Sequence, residues 1–391
     1  MNILYINWKC FGSDDIVAAM QRLGHSVNIT SLTDEACTGI DRELIKRICN
    51  LISERRIELV VSFNYYPTVS EACMKKGCRY FAWIYDSPYI KLYDKTVTNN
   101  VNYVGTFDSS MEQELRGKGV GTVHYVPLAV NSARLRRVIE RGSARLGKCG
   151  NISFIGSLYN DKNNFYERLF EKSRDMELAG YLDAIIESQR KVYGSYFLDE
   201  CVDENIASKI RRVMPYKVAE GSYTTENRVY ADYYLVPRLT FLDRQELIST
   251  MARFFEVDYY THTDYNISGA HNRGTVDYYN EMPVVFNRSK INLNISLRSI
   301  RTGIPLRAMD IMGAGGFLLS NYQSDMFRHF EPGVHFDYYT SVEEAVDKAD
   351  YYLSHDDERS RIAAAAFEEM EKHHTFEVRL AQVISECRHE Y

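Results

Sequence analysis

The sequence alternates strand-like and helix-like stretches from residue 2 to about 128, and this alternation is the strongest constraint on its fold. Residues 2–6 are typical of a buried strand, and Ser13 can cap a helix that stops at Gly24. A helical stripe of isoleucine and leucine occupies positions 40, 44, 45, 48 and 52. Further strands are predicted at 27–30, 57–63, 80–85, 101–106 and 122–126. The pattern predicts a mostly parallel, doubly wound sheet of about six strands.

The second half repeats the mixture after a polar, arginine-rich stretch at 131–150. A new strand is predicted at 152–155, and a helix over 305–312. We therefore predict an N-terminal domain at 1–148 and a C-terminal domain at 149–375, with a helical insert near 195–250. The last helix, about 376–391, is expected to pack back onto the first domain. Two Rossmann-like α/β domains facing a cleft follow, and open parallel sheets bind ligands at the carboxyl ends of their strands.

Composition excludes several classes of partner. The net charge of -6 gives no bulk field for nucleic acid or anionic lipid. No stretch approaches 18 uncharged apolar residues, so no membrane span is predicted, and the N-terminus lacks the features of a signal peptide. A cytoplasmic protein with eight reduced cysteines is the expectation. The histidines show no ligand spacing, and no metal or other cofactor is expected.

An anion site is predicted where a strand ends near Ser296 and a helix begins near Pro305. Free N–H groups at a helix start, together with arginines, suit a diphosphate. The predicted donor-binding residues of this stretch are Arg298, Arg301, Thr302, Gly303 and Arg307. The competing interpretation is that the arginines pair with surface carboxylates. Asp310 shares a helix face with Arg307 and could accept the hydroxyls of a ribose, or it could be a solvated helix acid.

Five further residues are candidates. Gly156 and Ser157 close the first strand of the second domain, where a glycine lets backbone approach phosphates, although a plain tight turn is the alternative. Arg273 precedes a helix and could face the nucleotide base. Asp86 follows a strand in the first domain and could take the proton of an acceptor, or it could anchor its loop. Asp108 is a weaker rival for the base.

At these residues the chain resembles a known family. The segments Pro-Leu-Arg-Ala-Met-Asp-Ile-Met-Gly-Ala-Gly-Gly-Phe at 305–317 and Trp-Ile-Tyr-Asp-Ser-Pro at 83–88 look like those of GT-B glycosyltransferases. The bacterial group that resembles the spore-maturation protein CgeB is the most similar. The resemblance covers both ends of the chain and leaves 195–250 outside.

The resemblance implies a hexosyltransferase that takes a nucleotide-sugar donor, with UDP favoured, mainly on the second domain. The acceptor, which could be a protein, a polysaccharide or a small metabolite, would bind the first domain, and no metal would be required. Relatives with a Glu-x7-Glu signature hold the ribose with the second glutamate. Asp310 stands at that place, whereas Thr302 stands at the first. Retention or inversion therefore stays open, as do a catalytically inactive carbohydrate-binding or scaffolding module and a nucleotide-sugar epimerase or phosphorylase.

Overall fold

The computed structural model describes residues 1–8, 10–32, 41–143, 145–147, 149–160 and 164–389. Two parallel sheets of six strands each are surrounded by helices, which confirms the predicted pair of Rossmann-like, doubly wound domains. The chain divides into two compact units. Unit 1 comprises Met1–Asn131, Ala219–Thr224 and His373–Tyr391, and unit 2 comprises Ser132–Val218 and Thr225–Lys372.

The sheet of unit 1 has the strand order β2-β1-β3-β4-β5-β6, and every neighbouring pair is parallel. Its strands are β1 (Asn2–Asn7), β2 (Ser26–Ser31), β3 (Leu59–Phe63), β4 (Arg79–Trp83), β5 (Asn102–Thr106) and β6 (Val123–Tyr125). Its helices are α1 (Ser13–Arg22), α2 (Arg42–Glu54), α3 (Pro67–Lys76), α4 (Ser109–Gly117) and the C-terminal α17 (Phe376–His389). Two short 3-10 helices, Ile90–Tyr93 and Lys95–Thr98, follow β4.

Burial explains these elements. All five residues of β3 are buried, as expected of a strand covered by helices on both faces. On α2 the predicted stripe faces the core at Leu44, Ile45, Ile48 and Ile52, while position 40 lies outside the described residues. Asp41 caps this helix by accepting hydrogen bonds from the N–H groups of the first turn.

The start of α1 differs from the prediction, because Ser13 is not its cap. Gly12 occupies the N-cap position with φ of 83°, a left-handed conformation that suits glycine. The Ser13 hydroxyl accepts a hydrogen bond from the hydroxyl of Tyr5 at 3.1 Å and lies 3.1 Å from the sulfur of Cys10. Ser13 therefore ties the start of the helix to the first strand.

The sheet of unit 2 has the order β12-β11-β10-β7-β8-β9, again with parallel pairs. Its strands are β7 (Ile152–Ile155), β8 (Val257–Tyr260), β9 (His271–Asn272), β10 (Ile291–Asn294), β11 (Leu318–Asn321) and β12 (Asp337–Tyr339). Its longer helices are α5 (Ser132–Arg141), α6 (Phe165–Ser173), α7 (Met176–Arg190), α9 (Glu204–Val213), α11 (Val236–Met251), α13 (Leu306–Gly313), α15 (Val342–Ser354) and α16 (Asp356–His373). Shorter helices are α8 (Leu198–Cys201), α10 (Glu226–Val229), α12 (Met282–Arg288) and α14 (Met326–His329), and a π-helix occupies Tyr230–Leu235.

The boundaries between the two units lie at other sequence positions than the predicted boundary at residue 148. Helix α5 belongs to unit 2, where the guanidinium of Arg134 lies over the rings of Tyr278 and Tyr279 at 5.3 and 5.1 Å. Helix α17 lies in unit 1, where Phe376 packs edge-on against Trp83 with ring centroids 5.9 Å apart. The arginine-rich stretch thus supplies a packed helix to the second unit.

The insert is larger than the predicted 195–250. Its apolar core runs from Tyr166 on α6 to Leu239 on α11 and also includes residues of α7 and α9. Residues 219–224 are not part of this insert and belong to unit 1. There the N–H of Tyr223 donates to the carbonyl of Tyr93 at 2.8 Å. None of the helices within the described residues is long and apolar enough to cross a bilayer.

Candidate functional site

In unit 2 the strand order reverses between β7 and β10, which are adjacent in the sheet. From β7 the chain proceeds to β8 and β9 on one side and then crosses to β10 on the other. In an open parallel sheet such a reversal leaves a crevice at the carboxyl ends of the two strands. Gly156 follows β7 at this place, and the loop after β10 leads into α13. Candidate ligand groups are therefore expected here.

Arg307, the second residue of α13, lies directly against Gly156. A Cβ atom added to Gly156 would lie 3.0 Å from Cζ of Arg307, so the glycine provides the space that the guanidinium occupies. The guanidinium lies over the ring of Phe154 at 5.0 Å, and its Nη1 makes one long hydrogen bond of 3.5 Å to Oδ1 of Asn294. Burial and the charge of Arg244 lower the pKa of Arg307 to about 9.

Arg244 on α11 is the second arginine of this place and is only 2% exposed. Its Nε and Nη2 donate to the carbonyl of Ile295 at 3.2 and 2.6 Å, and its Nη1 donates to the carbonyl of Ser157. Its guanidinium lies over the same ring of Phe154 at 5.1 Å. Burial lowers the pKa of Arg244. Arg244 thus binds the loops that follow both β7 and β10.

We call the group Gly156, Arg244 and Arg307 the arginine edge. Within the described residues, neither guanidinium has an ion pair to a carboxylate within 4 Å. Two buried positive charges that repel each other are costly unless a negative charge neutralises them. The helix α13 also begins without a side-chain cap. The positive end of its dipole lies at this N-terminus, where Arg307 is the second residue. The arginine edge is therefore suited to bind an anion.

Sequence reasoning did not find Arg244. The residue lies in 195–250, the region outside the family resemblance. A signal was nevertheless present, since Arg244 is four residues after Thr240 and three before Leu247, both buried on α11. An arginine on the buried stripe of a helix requires a buried partner, and here the partners are backbone carbonyls.

Ser157 takes part in shaping the loop after β7. Its hydroxyl accepts a hydrogen bond from the N–H of Tyr159 at 3.0 Å, and Tyr159 has a left-handed φ of 60°. Beyond it, Asn160 accepts from the hydroxyl of Thr263 at 3.0 Å, which joins this loop to the one that follows β8. Lys162, which we considered as a further positive charge, lies outside the described residues.

The two arginines of the preceding loop are placed differently from the prediction. Arg298 donates to Asp243 at 2.7 Å and lies over the ring of Tyr193 at 4.1 Å. Burial opposes its charge, but Asp243 outweighs that effect and the pKa of Arg298 is above its ordinary value. Arg301 donates to Asp199 at 2.7 Å. Both guanidiniums are neutralised within unit 2, so the structure corrects their assignment as free donors to a diphosphate.

Thr302 and Gly303 lie in the buried or half-buried loop between β10 and α13. The hydroxyl of Thr302 donates to the carboxylate of Asp325 at 3.1 Å, and the N–H of Asp325 donates back to the carbonyl of Thr302 at 3.0 Å. Asp325 is 1% exposed. A buried carboxylate therefore lies beside Thr302, the position of the first glutamate in the Glu-x7-Glu signature. A glutamate at this position would repel that carboxylate.

Asp310 is 2% exposed and accepts a hydrogen bond from the hydroxyl of Tyr278 at 3.4 Å. Its negative charge also favours the charged form of Arg307. Asp310 therefore lies inside the protein, close to the arginine edge, and is not the solvated helix acid that was the alternative. Its contact with a ribose stays a prediction.

Arg273 is directed away from the arginine edge. Its Nε donates to Asp258 at 2.9 Å, and Asp258 is fully buried near the start of β8, where it also accepts from the N–H of Gly150. This ion pair raises the pKa of Arg273. Gly150 precedes β7, so the guanidinium lies at the amino end of the sheet, opposite to the end where Gly156 lies. The contact of Arg273 with a nucleotide base stays a prediction.

Two open spaces adjoin the carboxyl ends of the sheet in unit 2. One has a volume of about 470 Å³ and is lined by the loop 261–266 after β8, together with Asn272, Gly274 and Thr275. The other has a volume of about 320 Å³ and lies where β10 and β12 end, beside Tyr193 and Tyr339. The first is joined to the loop after β7 by the Thr263–Asn160 hydrogen bond. The second is lined by Ile295, whose carbonyl accepts from Arg244, so both spaces adjoin loops that the arginine edge contacts.

In unit 1 the corresponding end of the sheet carries a carboxylate. Asp86 follows β4, and its Oδ2 accepts a hydrogen bond at 2.8 Å from Nδ2 of Asn64, which follows β3. Burial raises the pKa of Asp86, and the hydrogen bond from Asn64 partly opposes this effect. Cys10, in the loop after β1, has a pKa raised to about 11 by burial, and Asp86 contributes to that shift. We call Asn64, Asp86 and Cys10 the carboxylate edge.

Asp108, the weaker candidate base, has a different role. It is fully buried and is the N-cap of α4, where its carboxylate accepts from the N–H of Ser110 at 2.9 Å. Its interactions serve the helix start. Among the described residues, no cluster of three or more His, Cys, Asp and Glu side chains is placed to hold a metal ion. The seven cysteines of the described part are free thiols.

Comparisons with known proteins agree with this architecture. Residues 244–385 match a family described as glycosyl transferase-like. A search of curated proteins finds no significant match. A glycosyltransferase from Rickettsia africae has a similar structure, with a TM-score of 0.52 and 10% identity, covering 100% of this chain and 98% of that chain.

Two other solved structures have the same fold. A UDP-forming trehalose-phosphate synthase from Burkholderia xenovorans gives a TM-score of 0.54 at 10% identity and covers 99% of this chain and 98% of its own. HepE from Anabaena, solved with UDP and glucose, gives 0.50 at 9% identity and covers 99% and 100%. At such identities the likeness concerns the fold. The two six-stranded sheets and these neighbours together show that the chain has the GT-B fold of glycosyltransferases.

Proposed function

We propose that the protein is a GT-B glycosyltransferase that moves a sugar from a nucleoside-diphosphate sugar to a hydroxyl acceptor. The observation that carries the proposal is the arginine edge, where two buried guanidiniums, with no ion pair to a carboxylate of the described residues, adjoin Gly156 and the uncapped start of α13. A diphosphate would supply negative charge in direct contact with these guanidiniums. The match of residues 244–385 to a glycosyl transferase-like family supports the same activity.

The chemistry would be electrostatic. When the bond between the sugar and the diphosphate breaks, negative charge accumulates on the leaving phosphate. Arg307 and the N-terminal end of α13 would stabilise that charge, a task that a divalent metal performs in other enzymes. Arg244 would act mainly by holding the loops after β7 and β10, since its N–H groups donate to the carbonyls of Ser157 and Ile295. We infer a metal-independent reaction on this basis.

UDP is the favoured nucleotide. HepE was solved with UDP and glucose, and the trehalose-phosphate synthase is described as UDP-forming. The space of about 470 Å³ beside the loop after β8 would receive the nucleoside. We further propose that the chain belongs to the CgeB-like group and acts in the cytoplasm, and that the transferred sugar is a hexose. The motifs at 83–88 and 305–317 support the group assignment.

On the acceptor side, Asp86 is the proposed general base. It is a largely enclosed carboxylate whose pKa is raised by burial, as suits a group that must take a proton near neutral pH. The acceptor would be a hydroxyl compound of a protein, a polysaccharide or a small metabolite.

The test is a two-step assay on the whole chain. Isothermal titration with UDP, GDP and ADP measures nucleotide affinity, and incubation with a panel of nucleotide sugars measures release of the nucleoside diphosphate. We expect one nucleotide to bind at micromolar concentration and its sugar to be hydrolysed slowly. Absence of binding by all three nucleotides would overturn the proposal.

A second candidate is a carbohydrate-binding or scaffolding module of the same fold. The observation in its favour is Thr302, which stands at an acidic position of related enzymes and is bonded to Asp325. Such a module would bind nucleotide or sugar without turnover. Nucleotide binding combined with no release of nucleoside diphosphate from any sugar nucleotide, even with glycan acceptors added, selects it. A changed sugar without any acceptor would instead indicate an epimerase.

A further inference from the structure

Asn64 has an unusual backbone for a residue at the end of a strand. Its φ is 59°, in the left-handed region that asparagine tolerates better than most residues, and it is 1% exposed. Its N–H donates to the carbonyl of Trp83 on the neighbouring strand at 2.7 Å. A buried residue held in this conformation directs its side chain where a regular strand would not.

The Asn64 amide makes three hydrogen bonds to the loop after β4. Its Oδ1 accepts from the N–H of Tyr85 at 2.9 Å and from the N–H of Asp86 at 3.1 Å. Its Nδ2 donates to Oδ2 of Asp86 at 2.8 Å. One side chain therefore fixes both the backbone and the carboxylate of Asp86. The other carboxylate oxygen, Oδ1, makes no hydrogen bond within the described residues and is left to accept a proton.

The surroundings of Asp86 provide little else to favour its charge. Within the described part of the chain, no lysine or arginine forms an ion pair with it, and the thiol of Cys10 faces it from the loop after β1. Burial raises the pKa of Asp86, and the Asn64 hydrogen bond is the interaction that lowers it. A donor to the charged form favours that form. Asn64 therefore affects both the direction and the proton affinity of the carboxylate.

We propose that Asn64 is the positioning residue for Asp86, turning the carboxylate so that Oδ1 faces the acceptor hydroxyl. The proposal rests on the proposed function of Asp86 as general base. In the reaction the acceptor O–H would transfer its proton to Oδ1 as the oxygen forms its bond to the sugar carbon and the bond from that carbon to the diphosphate breaks. Asn64 touches neither substrate and acts through Asp86.

Two variants separate positioning from a structural role. Asn64→Gly removes the amide and suits the left-handed backbone, so the fold is retained. Asn64→Asp keeps an oxygen that accepts from the N–H groups of Tyr85 and Asp86 but cannot donate to Asp86 when ionised. Asn64→Asp also sets a second carboxylate beside Asp86, and two adjacent carboxylates raise a pKa whatever the role of Asn64, so the decisive variant is Asn64→Gly. Asn131→Ala is the matched control, because Asn131 also donates to a buried carboxylate, Asp15, at 2.8 Å in unit 1.

The direct measurement is a carbon-13 NMR titration of aspartate carboxyl groups in the whole chain, with the Asp86 signal assigned by its loss in Asp86→Asn. The pKa of Asp86 is expected to rise in both Asn64 variants and to stay unchanged in Asn131→Ala. An unchanged pKa of Asp86 in Asn64→Gly overturns the proposal. This measurement needs no donor or acceptor, so it is independent of the proposed activity.

The kinetic measurement uses release of UDP from the UDP-sugar that the parent turns over fastest. Both Asn64 variants are expected to lower kcat by about 10-fold to 100-fold at pH 7, with the acidic limb of the kcat profile moved to higher pH and KM for the donor unchanged. A lowered kcat with an unmoved acidic limb would leave Asn64 a merely structural residue and overturns the proposal. If the parent has no turnover while the NMR shift is present, the assignment of Asp86 as base fails and the hydrogen-bonding role of Asn64 stands.

Discussion

The two units share an architecture but present opposite charges at the carboxyl ends of their strands. In unit 2 the arginine edge has two guanidiniums that no carboxylate pairs with in the described residues. In unit 1 the carboxylate edge has Asp86, held by the amide of Asn64. Since a doubly wound sheet places loops at this end regardless of function, the side chains after the strands decide what each unit does. The guanidiniums of unit 2 are suited to bind an anion, and the carboxylate of unit 1 is suited to accept a proton.

Burial shifts the pKa values at the two edges in opposite directions. It lowers the pKa of Arg307 and raises the pKa of Asp86, so in each case it disfavours the charged form. A bound diphosphate would restore the charge of Arg307. At the carboxylate edge the same penalty makes Asp86 a better proton acceptor near neutral pH. Under the proposed function, desolvation would serve binding in one unit and catalysis in the other.

The largest effect is expected at the carboxylate edge. Asp86→Asn keeps the size of the side chain but removes the proton acceptor, and a general base is worth about 10² to 10⁴ in rate. We expect turnover of the preferred UDP-sugar to an acceptor to fall within this range while UDP affinity, measured by calorimetry, stays near the parent value. Parental turnover together with a retained anomeric configuration would remove Asp86 from the catalytic residues and leave it as an anchor of its loop.

The next largest effect is expected at the arginine edge. Arg307→Ala removes a charged donor and should weaken UDP binding by about 10-fold to 100-fold, since a hydrogen bond to a charged group contributes about 1.5–3 kcal/mol. Calorimetry with UDP measures the change. Arg211→Ala is the matched control, because that guanidinium pairs with Glu226 and Glu204 in the insert, away from both spaces. Equal losses of affinity in the two variants would show that the anion binds elsewhere.

The two parallel, doubly wound sheets were predictable because buried parallel strands leave a strong apolar signal. The runs that became β1, β3 and β7 were recognised from hydrophobicity alone, and each lies within a residue or two of its predicted limits. Arg307 and Asp86 were found for a related reason, because loops after predicted strands are the expected place for ligand groups. Local pattern and topology were sufficient for these residues.

The partners of the other arginines were not predictable. Arg298 and Arg301 follow a strand just as a phosphate ligand would, but Asp243 and Asp199 lie 55 and 102 positions away in the sequence. Arg273 likewise pairs with Asp258 across two strands. Ion pairs between distant elements depend on tertiary packing, which a single sequence does not display. The opposite charges of the two edges therefore become apparent only after the arginines that form ion pairs have been identified.

The charge of Arg307 also predicts a pH dependence that the carboxylate edge does not share. With a pKa of about 9, Arg307 is charged below that pH and loses its charge above it, so the affinity for UDP should be constant from pH 7 to 8 and weaken above about 9. Above this pH the affinity for UDP should fall by up to about tenfold per pH unit, because binding would then take up one proton. The measurement is the ratio of the dissociation constants of the parent and Arg307→Ala, because the titration of UDP itself cancels in that ratio. A constant ratio from pH 7 to 10 would contradict the assignment.

The smallest effect tests the space that Gly156 leaves for Arg307. Gly156 has φ of 157°, and an added Cβ would lie 3.0 Å from Cζ of Arg307 and 3.3 Å from the ring of Phe154. Gly156→Ala should displace the guanidinium and lower UDP affinity by up to about tenfold, with a loss of stability of about 1–3 kcal/mol, as found for overpacked sites. Gly180→Ala on α7 is the control, because no atom lies within 4 Å of its added Cβ and alanine favours helix by about 1 kcal/mol. Thermal melts and UDP titration of both variants measure the difference. If Gly156→Ala is destabilised but binds UDP like the parent, the guanidinium of Arg307 does not contact the phosphates, and the positive charge of unit 2 acts on the ligand only at a distance.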